Sequence, residues 1–372
     1  SYDGSGAIIP NSGCGSWLFE PQSTNLITYS ELFSQWTALN LTVTDNNVIS
    51  PDGSLNASKI TASVGNLTKR LQDVGNPTTS ITRSFSVFVK TDEINAIQLL
   101  HSGDLQGFAR FDLVNYTIGS VGSKTTATIE NYGNGWYRCT AIFNSTNVFG
   151  SSLFLYINDS AIGGYGSTSS QVGNLFLYGA QYEEQSYSTS YIPTEGTTVT
   201  RNRDVCTNGG SAALISSTEG VLYAEINAPI YPLSINNWLT ITDGTSANSV
   251  GIIFETTSAA VARIDVGGVV QAYMSFIVDY SNFIKVAFKY KQDEFSLFVN
   301  GTKVATDTSG TTFPLNTLNS LQFSYGGGSN KWNGKTKCLA VWKTALSDLE
   351  LEQLSSWASF ISMAKSLNYT II

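Results

Sequence analysis

The sequence contains one histidine, His101, and four cysteines among its 372 residues. A zinc site built from several histidines is therefore excluded. Cys14, Cys139, Cys206 and Cys338 are too far apart for a metal-binding knuckle and too few for a disulfide scaffold at this length. We expect buried free thiols. Cys14 and Cys206 are the one pair to consider for a disulfide, because both lie in segments that flank the first of two predicted domains.

Charged residues are also scarce, at 13% of the chain, and the net charge is -8. Proteins that follow a phosphate backbone need clustered Lys and Arg, so nucleic acid is not an expected partner. No apolar run approaches the roughly 20 residues that cross a bilayer, so membrane insertion is not expected either.

Hydrophobic residues form 42% of the chain and aromatics 12%, which predicts a globular protein with an uncharged polar surface. The length fits two domains. Residues 171–203 read as a closing strand followed by a connector rich in Pro, Gly, Ser and Thr, and a new strand pattern starts near Gly220. We therefore predict a lead-in at 1–24, a jelly roll at 25–192, a linker at 193–211 and a second jelly roll at 212–372.

Strand-like runs with turn signals between them indicate an all-β first domain. Successive side chains of a strand point to opposite faces of the sheet, so alternation assigns the core positions. The predicted inner rows are Phe85, Val87, Val89, Ala109, Phe111, Leu113, Tyr137, Cys139, Ala141, Phe143, Leu153, Leu155 and Ile157.

The opposite faces of these strands mix aromatic with polar side chains. Such a face is typical of a sugar-binding platform, where a ring stacks on a pyranose and neighbouring groups bind its hydroxyls. A second interpretation stays open, in which the face is covered by residues 1–24, by the second domain or by another subunit. The platform residues are predicted to be Gln98, Phe108, Arg110, Asp112, Trp136, Arg138 and Tyr156.

Four further aromatic residues fall near predicted turns and form a list of exposed candidates for ligand binding: Trp36, Trp238, Tyr273 and Trp332. A calcium ligand is considered at Asp243 in the turn ITDGTSAN, although no EF-hand spacing exists and ordinary turn chemistry also explains an Asp there. We otherwise expect no cofactor.

The second domain has clearer local signals. Asn300-Gly301 is a type I′ turn pair between two alternating strands. Ser347 followed by Glu350 is a capping box ahead of an amphipathic helix. The predicted fold is therefore all-β, with two β-sandwich (jelly-roll) domains in tandem and a short C-terminal helix.

Three resemblances follow from these motifs. FSLFVNGTKVA (295–305) and LAVWKTALSDLELEQL (339–354) resemble the concanavalin A-like, laminin-G-like jelly rolls, a lectin-like family that often binds glycans, sometimes with calcium, and in some branches hydrolyses them. NLITYSELFSQW, SFSVFVKT, NGWYRCTAIF and LFLYGAQYEEQSYSTSYIPT resemble a galactose-binding-type jelly roll of carbohydrate-binding modules. The run from EPQSTNLITYSE to YIPTEGTTVTRNRDV is similar to fibre or receptor-binding proteins of Bacteroidetes phages.

Catalytic chemistry has few carriers in this sequence. The Glu-x-Asp-x-x-Glu strand of the β-glucan-cutting branch is missing, as is a Gly-x-Ser-x-Gly elbow. Paired carboxylates could still act on a glycosidic bond, and the candidates are Asp112, Glu183, Glu184, Glu225, Glu255 and Asp265.

We therefore predict a non-catalytic adhesin on a virion surface, or alternatively a secreted or bacterial surface protein, that binds a glycan or polysaccharide. Other virion proteins and copies of the same chain are its expected partners. A structural capsid or fibre component and a polysaccharide-degrading enzyme remain the alternatives.

Overall fold

The computed structural model describes residues 15–73, 81–103, 105–144, 152–206, 209–227, 237–255, 259–277, 279 and 282–356. The chain forms two compact units. Residues 22–202 belong to the first, and residues 15–21 together with the chain from Arg203 onward belong to the second. Both are antiparallel β-sandwiches, which confirms the predicted all-β fold.

The strands are, in chain order, β1 (Trp17–Phe19), β2 (Ser23–Asn25), β3 (Thr37–Leu39), β4 (Leu41–Val48), β5 (Ala57–Ala62), β6 (Arg70–Asp73), β7 (Arg83–Thr91), β8 (Ala96–His101), β9 (Phe108–Asp112), β10 (Thr117–Val121), β11 (Thr125–Gly133), β12 (Trp136–Phe143), β13 (Leu153–Asn158), β14 (Gly173–Glu183), β15 (Val199–Arg201), β16 (Glu219–Asn227), β17 (Asn237–Thr242), β18 (Ser249–Phe254), β19 (Ala259–Val266), β20 (Val269–Ile277), β21 (Ile284–Lys291), β22 (Phe295–Val299), β23 (Thr302–Asp307), β24 (Ser320–Gln322) and β25 (Gly334–Trp342). The helix α1 spans Asp348–Ser356, and short 3-10 turns occupy Phe33–Gln35 and Gly326–Gly328.

The first unit consists mainly of two six-stranded sheets, ordered β10-β9-β8-β13-β6-β3 and β11-β12-β7-β14-β5-β4. Their facing sides form one apolar core. The predicted inner rows on β7, β9, β12 and β13 are confirmed, since their side chains are buried in that core, apart from the half-buried Tyr137. Strict alternation in long strands makes this the most predictable part of the unit.

Strand β14 is the closing strand that the sequence predicts, and it lies inside its sheet between β7 and β5. The following segment differs from the expected linker. Val199–Arg201 pairs with Ser23–Asn25, and the hydroxyls of Thr24 and Thr200 are 2.8 Å apart. Residues 193–202 therefore stay attached to the first unit, because this pairing satisfies backbone groups that a free linker would leave to water.

The second unit also has two sheets, a six-stranded one ordered β1-β25-β16-β21-β22-β23 and a five-stranded one ordered β20-β19-β18-β17-β24. Strand β1 lies in the predicted lead-in but belongs to the second unit. Trp17–Phe19 pairs with β25, and the ring of Phe19 stacks on that of Phe323 at 4.2 Å between centroids. Ring stacking and ladder bonds together fix this strand in the second unit.

The local signals of the second unit are confirmed. Asn300 and Gly301 have φ of 48° and 81° and join β22 to β23. The Ser347 hydroxyl donates to Glu350 Oε2 at 2.7 Å, and the Ser347 backbone N–H donates to the same oxygen at 2.8 Å. Helix α1 covers the outer face of the six-stranded sheet with Leu351 and Leu354.

The cysteines only partly follow the expectation of buried thiols. Cys139 is buried, but Cys338 is half-buried and Cys206 is exposed, and all three are free. Cys14, the partner considered for Cys206, lies outside the described residues. Within the described ranges, no helix has the length and apolar character needed to cross a membrane.

His101 ends β8 and is completely buried. Its Nδ1 lies 3.0 Å from the carbonyl oxygen of Ser102, and its Nε2 lies 2.8 Å from the hydroxyl of Tyr182. A carbonyl can only accept, so Nδ1 carries the proton and Nε2 accepts from Tyr182. Burial lowers the pKa of His101 to about 4, and the nearby Arg83 adds to the effect. The ring is therefore neutral in the folded protein near pH 7.

This burial predicts a pH-dependent loss of stability. His101 has a folded pKa of about 4 against an ordinary value of 6.5, so the unfolded chain binds the proton first as the pH falls. The free energy of unfolding should decrease from about pH 6.5 to about pH 4, by about 3 kcal/mol in total. Urea unfolding across this range, compared with His101→Gln, isolates the effect. Equal slopes in the two proteins would contradict it.

Candidate functional site

The predicted platform residues do not form one surface. Gln98, Phe108, Arg110, Asp112 and Tyr156 lie on the sheet that contains β8, β9 and β13, whereas Trp136 and Arg138 lie on the sheet that contains β12. Both sheets turn their inner faces to the shared core, so the two sets point away from each other. A single site made of all seven residues is wrong, because sequence alternation identifies outer positions without telling which sheet they belong to.

The first set is covered by the loop between β13 and β14. Arg110 is only 4% exposed. Its guanidinium donates to the carbonyl oxygens of Ser160 at 3.0 Å and of Gly164 at 2.7 Å. Gln98 also donates to Gly164 O, at 2.9 Å. At Gly163 a Cβ would lie 2.7 Å from the guanidinium carbon of Arg110, so glycine there allows the loop to approach this closely. Asp112 is half-buried and accepts hydrogen bonds within its own turn, from Val114 and Asn115.

The second set is covered by residues that follow β14. Arg138 donates to Thr189 O at 2.8 Å and to the Ser86 hydroxyl at 3.0 Å. Its guanidinium also lies 5.2 Å from the ring centre of Phe88. Trp136 is buried, and its indole N–H donates to Ile49 O at 3.2 Å. Loops of the same unit therefore cover the outer side chains of both sheets.

Arg110 is thus expected to stabilise the loop at 159–170. Arg110→Ala removes charge-assisted donors from several carbonyl oxygens and should lower the free energy of unfolding by about 3 kcal/mol. Hydrogen exchange should become faster in the amides of residues 159–170. Arg70→Ala is the matched control, since Arg70 lies over the Phe154 ring and donates to the Tyr156 hydroxyl instead. Unchanged exchange of the loop in Arg110→Ala would contradict this role.

The list of exposed aromatic residues is confirmed at one position only. Tyr273 is 50% exposed. Trp36 is buried in the core, where its indole N–H donates to Tyr29 O at 2.9 Å. Trp332 is buried in the core of the second unit against Phe254. Trp238 is 3% exposed. These three tryptophans are wrong as exposed candidates, because proximity to a turn does not keep so large a side chain in solvent.

Trp238 and Tyr273 share one surface, the outer face of the five-stranded sheet. Leu239, Ala262 and Met274 of β17, β19 and β20 point into the core, so their neighbours along the strands point outward. We call this surface the Trp238 face. Its members are Trp238, Glu255, Arg263, Asp265, Tyr273 and Tyr325.

Tyr325 and Arg263 lie against Trp238. The centroids of the Tyr325 and Trp238 rings are 3.9 Å apart with a 37° angle between the planes. The guanidinium carbon of Arg263 lies 5.8 Å from the Trp238 ring centre. A Cβ at position 251 would lie 3.5 Å from the indole ring. This is an ordinary van der Waals distance, so the indole lies directly against Gly251 of β18.

Two hydrogen-bonded pairs order the polar part of the face. Arg263 binds Asp265 with Nε at 2.9 Å and Nη2 at 2.6 Å, and these bonds raise the pKa of Arg263. The Tyr273 hydroxyl donates to Glu255 Oε2 at 2.8 Å, which raises the pKa of Tyr273. Arg263 and Tyr273 are opposite each other in the ladder of β19 and β20. Rings, a guanidinium and carboxylates are thus held side by side with their geometry fixed.

Asp243 is bound within its turn. Its Oδ1 accepts from the Thr245 backbone N–H at 2.8 Å and from the Thr245 hydroxyl at 2.7 Å, and its Oδ2 accepts from Asn248 at 2.7 Å. Burial favours a higher pKa, but these hydrogen bonds outweigh it and the pKa of Asp243 is lowered. In the part of the chain that the structure describes, no three His, Cys, Asp or Glu side chains come together as a metal site would require. Calcium at Asp243 stays a prediction.

The first unit contains a site that the sequence did not indicate. Glu31 accepts from the Tyr191 hydroxyl and from Asn56, both at 3.1 Å, and borders a cleft of about 440 Å³. Burial and the neighbouring Asp52 raise the pKa of Glu31. Asp52 accepts from the Tyr178 hydroxyl at 2.7 Å. The effect of burial on Asp52 is outweighed by such bonds, and its pKa is lowered to about 2. The residues that line the cleft are Glu31, Leu32, Asn46, Pro193, Thr194 and Glu195.

Comparison with known proteins places the Trp238 face inside a lectin-like domain. Residues 226–352 match the Laminin_G_3 family, described as the concanavalin A-like lectin/glucanases superfamily. This confirms the predicted laminin-G-like domain over that range. A search of curated proteins gives no match.

The chain is also similar, at low identity, to several solved structures. The chain shares 16% identity with the Ruminococcus gnavus sialidase module CBM40 bound to α2,3-sialyllactose, with a TM-score of 0.33 over 41% of this chain and 95% of that one. It shares 13% identity with a pentraxin from Limulus polyphemus, with a TM-score of 0.34 over 40% and 74%. It shares 9% identity with domains LG4-5 of the mouse laminin α1 chain, with a TM-score of 0.28 over 92% of this chain and 95% of that one.

Proposed function

We propose that this protein is a non-catalytic glycan-binding adhesin and that the Trp238 face is its sugar site. The observation that carries the proposal is the half-exposed Tyr273 beside the Arg263 and Asp265 pair, on a sheet face within the lectin-like range. A pyranose has an apolar face for stacking and hydroxyl groups for hydrogen bonds, and this surface offers both kinds of contact.

Four members of the Trp238 face would contact the sugar or position a residue that does. The Tyr273 ring offers a stacking surface, and Glu255 holds its hydroxyl in position. The Arg263 side chain is 25% exposed and keeps donors available for sugar hydroxyls while Asp265 fixes its orientation. Because these groups are already ordered by their partners, little conformational entropy is lost when a sugar binds.

Display on a virion is the finer part of the proposal. It is supported by the resemblance of the run at 20–205 to phage fibre and receptor-binding proteins. A shallow face of this kind binds one sugar weakly, and several copies on a particle would raise avidity without new contacts. We therefore propose a homo-oligomer attached to other virion proteins, with the host surface polysaccharide as its target.

Two alternatives give different results in the same assays. A structural capsid or fibre component would bind no glycan. A polysaccharide-degrading enzyme would release reducing ends, but Glu255 and Asp265 are poorly placed for it. The Glu255 N–H donates to the carbonyl oxygen of Ala259, and Asp265 lies six positions further along β19. The backbones of Glu255 and Asp265 are therefore about 20 Å apart. Glycosidases hold their two carboxyl groups within about 10 Å.

Glycan arrays with Tyr273→Ala test the site. Loss of the ring should weaken binding about tenfold, because stacking and the ordered Glu255 contact both disappear. Tyr273→Phe keeps the ring and should lose less. Reducing-end assays on the same polysaccharides should show no turnover.

Tyr132→Ala is the matched control, since Tyr132 is 47% exposed and lies in the first unit. It should bind like the unmodified protein. Full binding by Tyr273→Ala together with lost binding by Tyr132→Ala would move the site to the first unit. Binding of no glycan by any of these proteins would sink the adhesin proposal.

A further inference from the structure

The indole N–H of Trp238 has no hydrogen-bond partner among the residues that the structure describes. The Trp238 side chain is only 3% exposed. Trp36 and Trp136 both donate their indole N–H to a carbonyl oxygen. Within the described part of the chain, Trp332, in the core of the second unit, shares the lack of a partner with Trp238, but of the two only Trp238 lies on an outer sheet face. A buried donor without an acceptor is unfavourable, and such groups in native proteins call for an explanation.

The groups that bury Trp238 differ in how firmly they are held. Ile253 and Val261 belong to β18 and β19 within the sheet, and Arg263 is bound to Asp265. Tyr325 lies in the turn after β24. Its hydroxyl donates to Ser246 O at 3.0 Å.

The turn that carries Tyr325 is rich in glycine. Gly327 and Gly328 have φ of 81° and 85°, and a Cβ on either would meet no atom within 4 Å. The closing bonds join Tyr325 N–H to Ser329 O and Gly328 N–H to Tyr325 O, both at 2.9 Å. Glycine residues lower the cost of backbone rearrangement, and short segments of this kind serve as hinges for lids.

We propose that Tyr325 is a movable lid over Trp238 and that a bound glycan takes its place, with one pyranose stacking on the indole face and a neighbouring sugar hydroxyl at the ring edge accepting a hydrogen bond from Trp238 Nε1–H. This inference rests on the proposed sugar site and adds its main ligand contact. The closed lid keeps the large apolar ring from solvent in the free protein. The sugar supplies the missing acceptor, so the buried donor is satisfied in the complex only.

The lid lowers the apparent affinity, because the protein must open before it binds. Tyr325→Phe removes the bond to Ser246 and keeps the ring. Apparent affinity should then rise about fivefold, the effect of losing one net hydrogen bond from the closed state. Tyr325→Ala should expose Trp238 and increase the quenching of its fluorescence by acrylamide.

The direct readout is the indole N–H region of the ¹⁵N NMR spectrum of the full chain. Trp238→Phe identifies the Trp238 signal by its disappearance. The probes are methyl glycosides of glucose, galactose and mannose, together with the oligosaccharide bound most tightly on the array. We expect the Trp238 signal to move downfield on binding, and Trp238→Phe to bind at least tenfold more weakly.

Three results would overturn the lid. They are an unchanged Trp238 signal at saturating glycan, full affinity of Trp238→Phe, or a loss of affinity in Tyr325→Phe. If any of these occurs while Tyr273→Ala still weakens binding, the sugar site stands and only the lid is wrong. If no probe and no array glycan binds the unmodified protein, the lid and the proposed function fail together.

Discussion

Two buried arginines hold the outer surfaces of the first unit closed. A guanidinium has five donors and can bind several backbone carbonyl oxygens at once, which a covering loop needs where water is excluded. Arg110 does this for the loop after β13. Arg138 binds one carbonyl of the segment after β14, that of Thr189, and also lies over the Phe88 ring. The aromatic residues beneath these loops are therefore structural, and the unit resembles a sandwich with additional cover on both sides.

The second unit places its polar groups differently. Helix α1 covers the outer face of the six-stranded sheet. The outer face of the five-stranded sheet keeps Tyr273 half exposed, with the Arg263 and Asp265 pair beside it. In a chain with few charges, these ion pairs and hydrogen bonds give the surface a fixed polar pattern. Fixed donors and an accessible ring are the groups that the proposed recognition of a hydroxyl-rich ligand requires.

The pKa shifts in the first unit depend on whether burial or hydrogen bonding dominates at each group. Burial keeps His101 neutral and raises the pKa of Glu31. The carboxyl of Asp52 is close to Glu31, but hydrogen bonds from hydroxyl and backbone groups lower its pKa to about 2. The pKa values of these two neighbouring acids are thus shifted in opposite directions, because burial prevails at Glu31 whereas hydrogen bonds prevail at Asp52.

The sequence alone determined the all-β class, the inner rows of the first sandwich, the Asn300-Gly301 turn and the cap of α1. Each depends on residues within a few positions of one another, and local periodicity records that directly. The tertiary structure decided which outer residues are accessible. Arg110, Arg138 and Trp238 are covered by residues that lie 50 or more positions away in the chain. Strand pattern carries no information about such distant cover. It therefore could not show that Tyr273, on the five-stranded sheet of the second unit, stays half exposed.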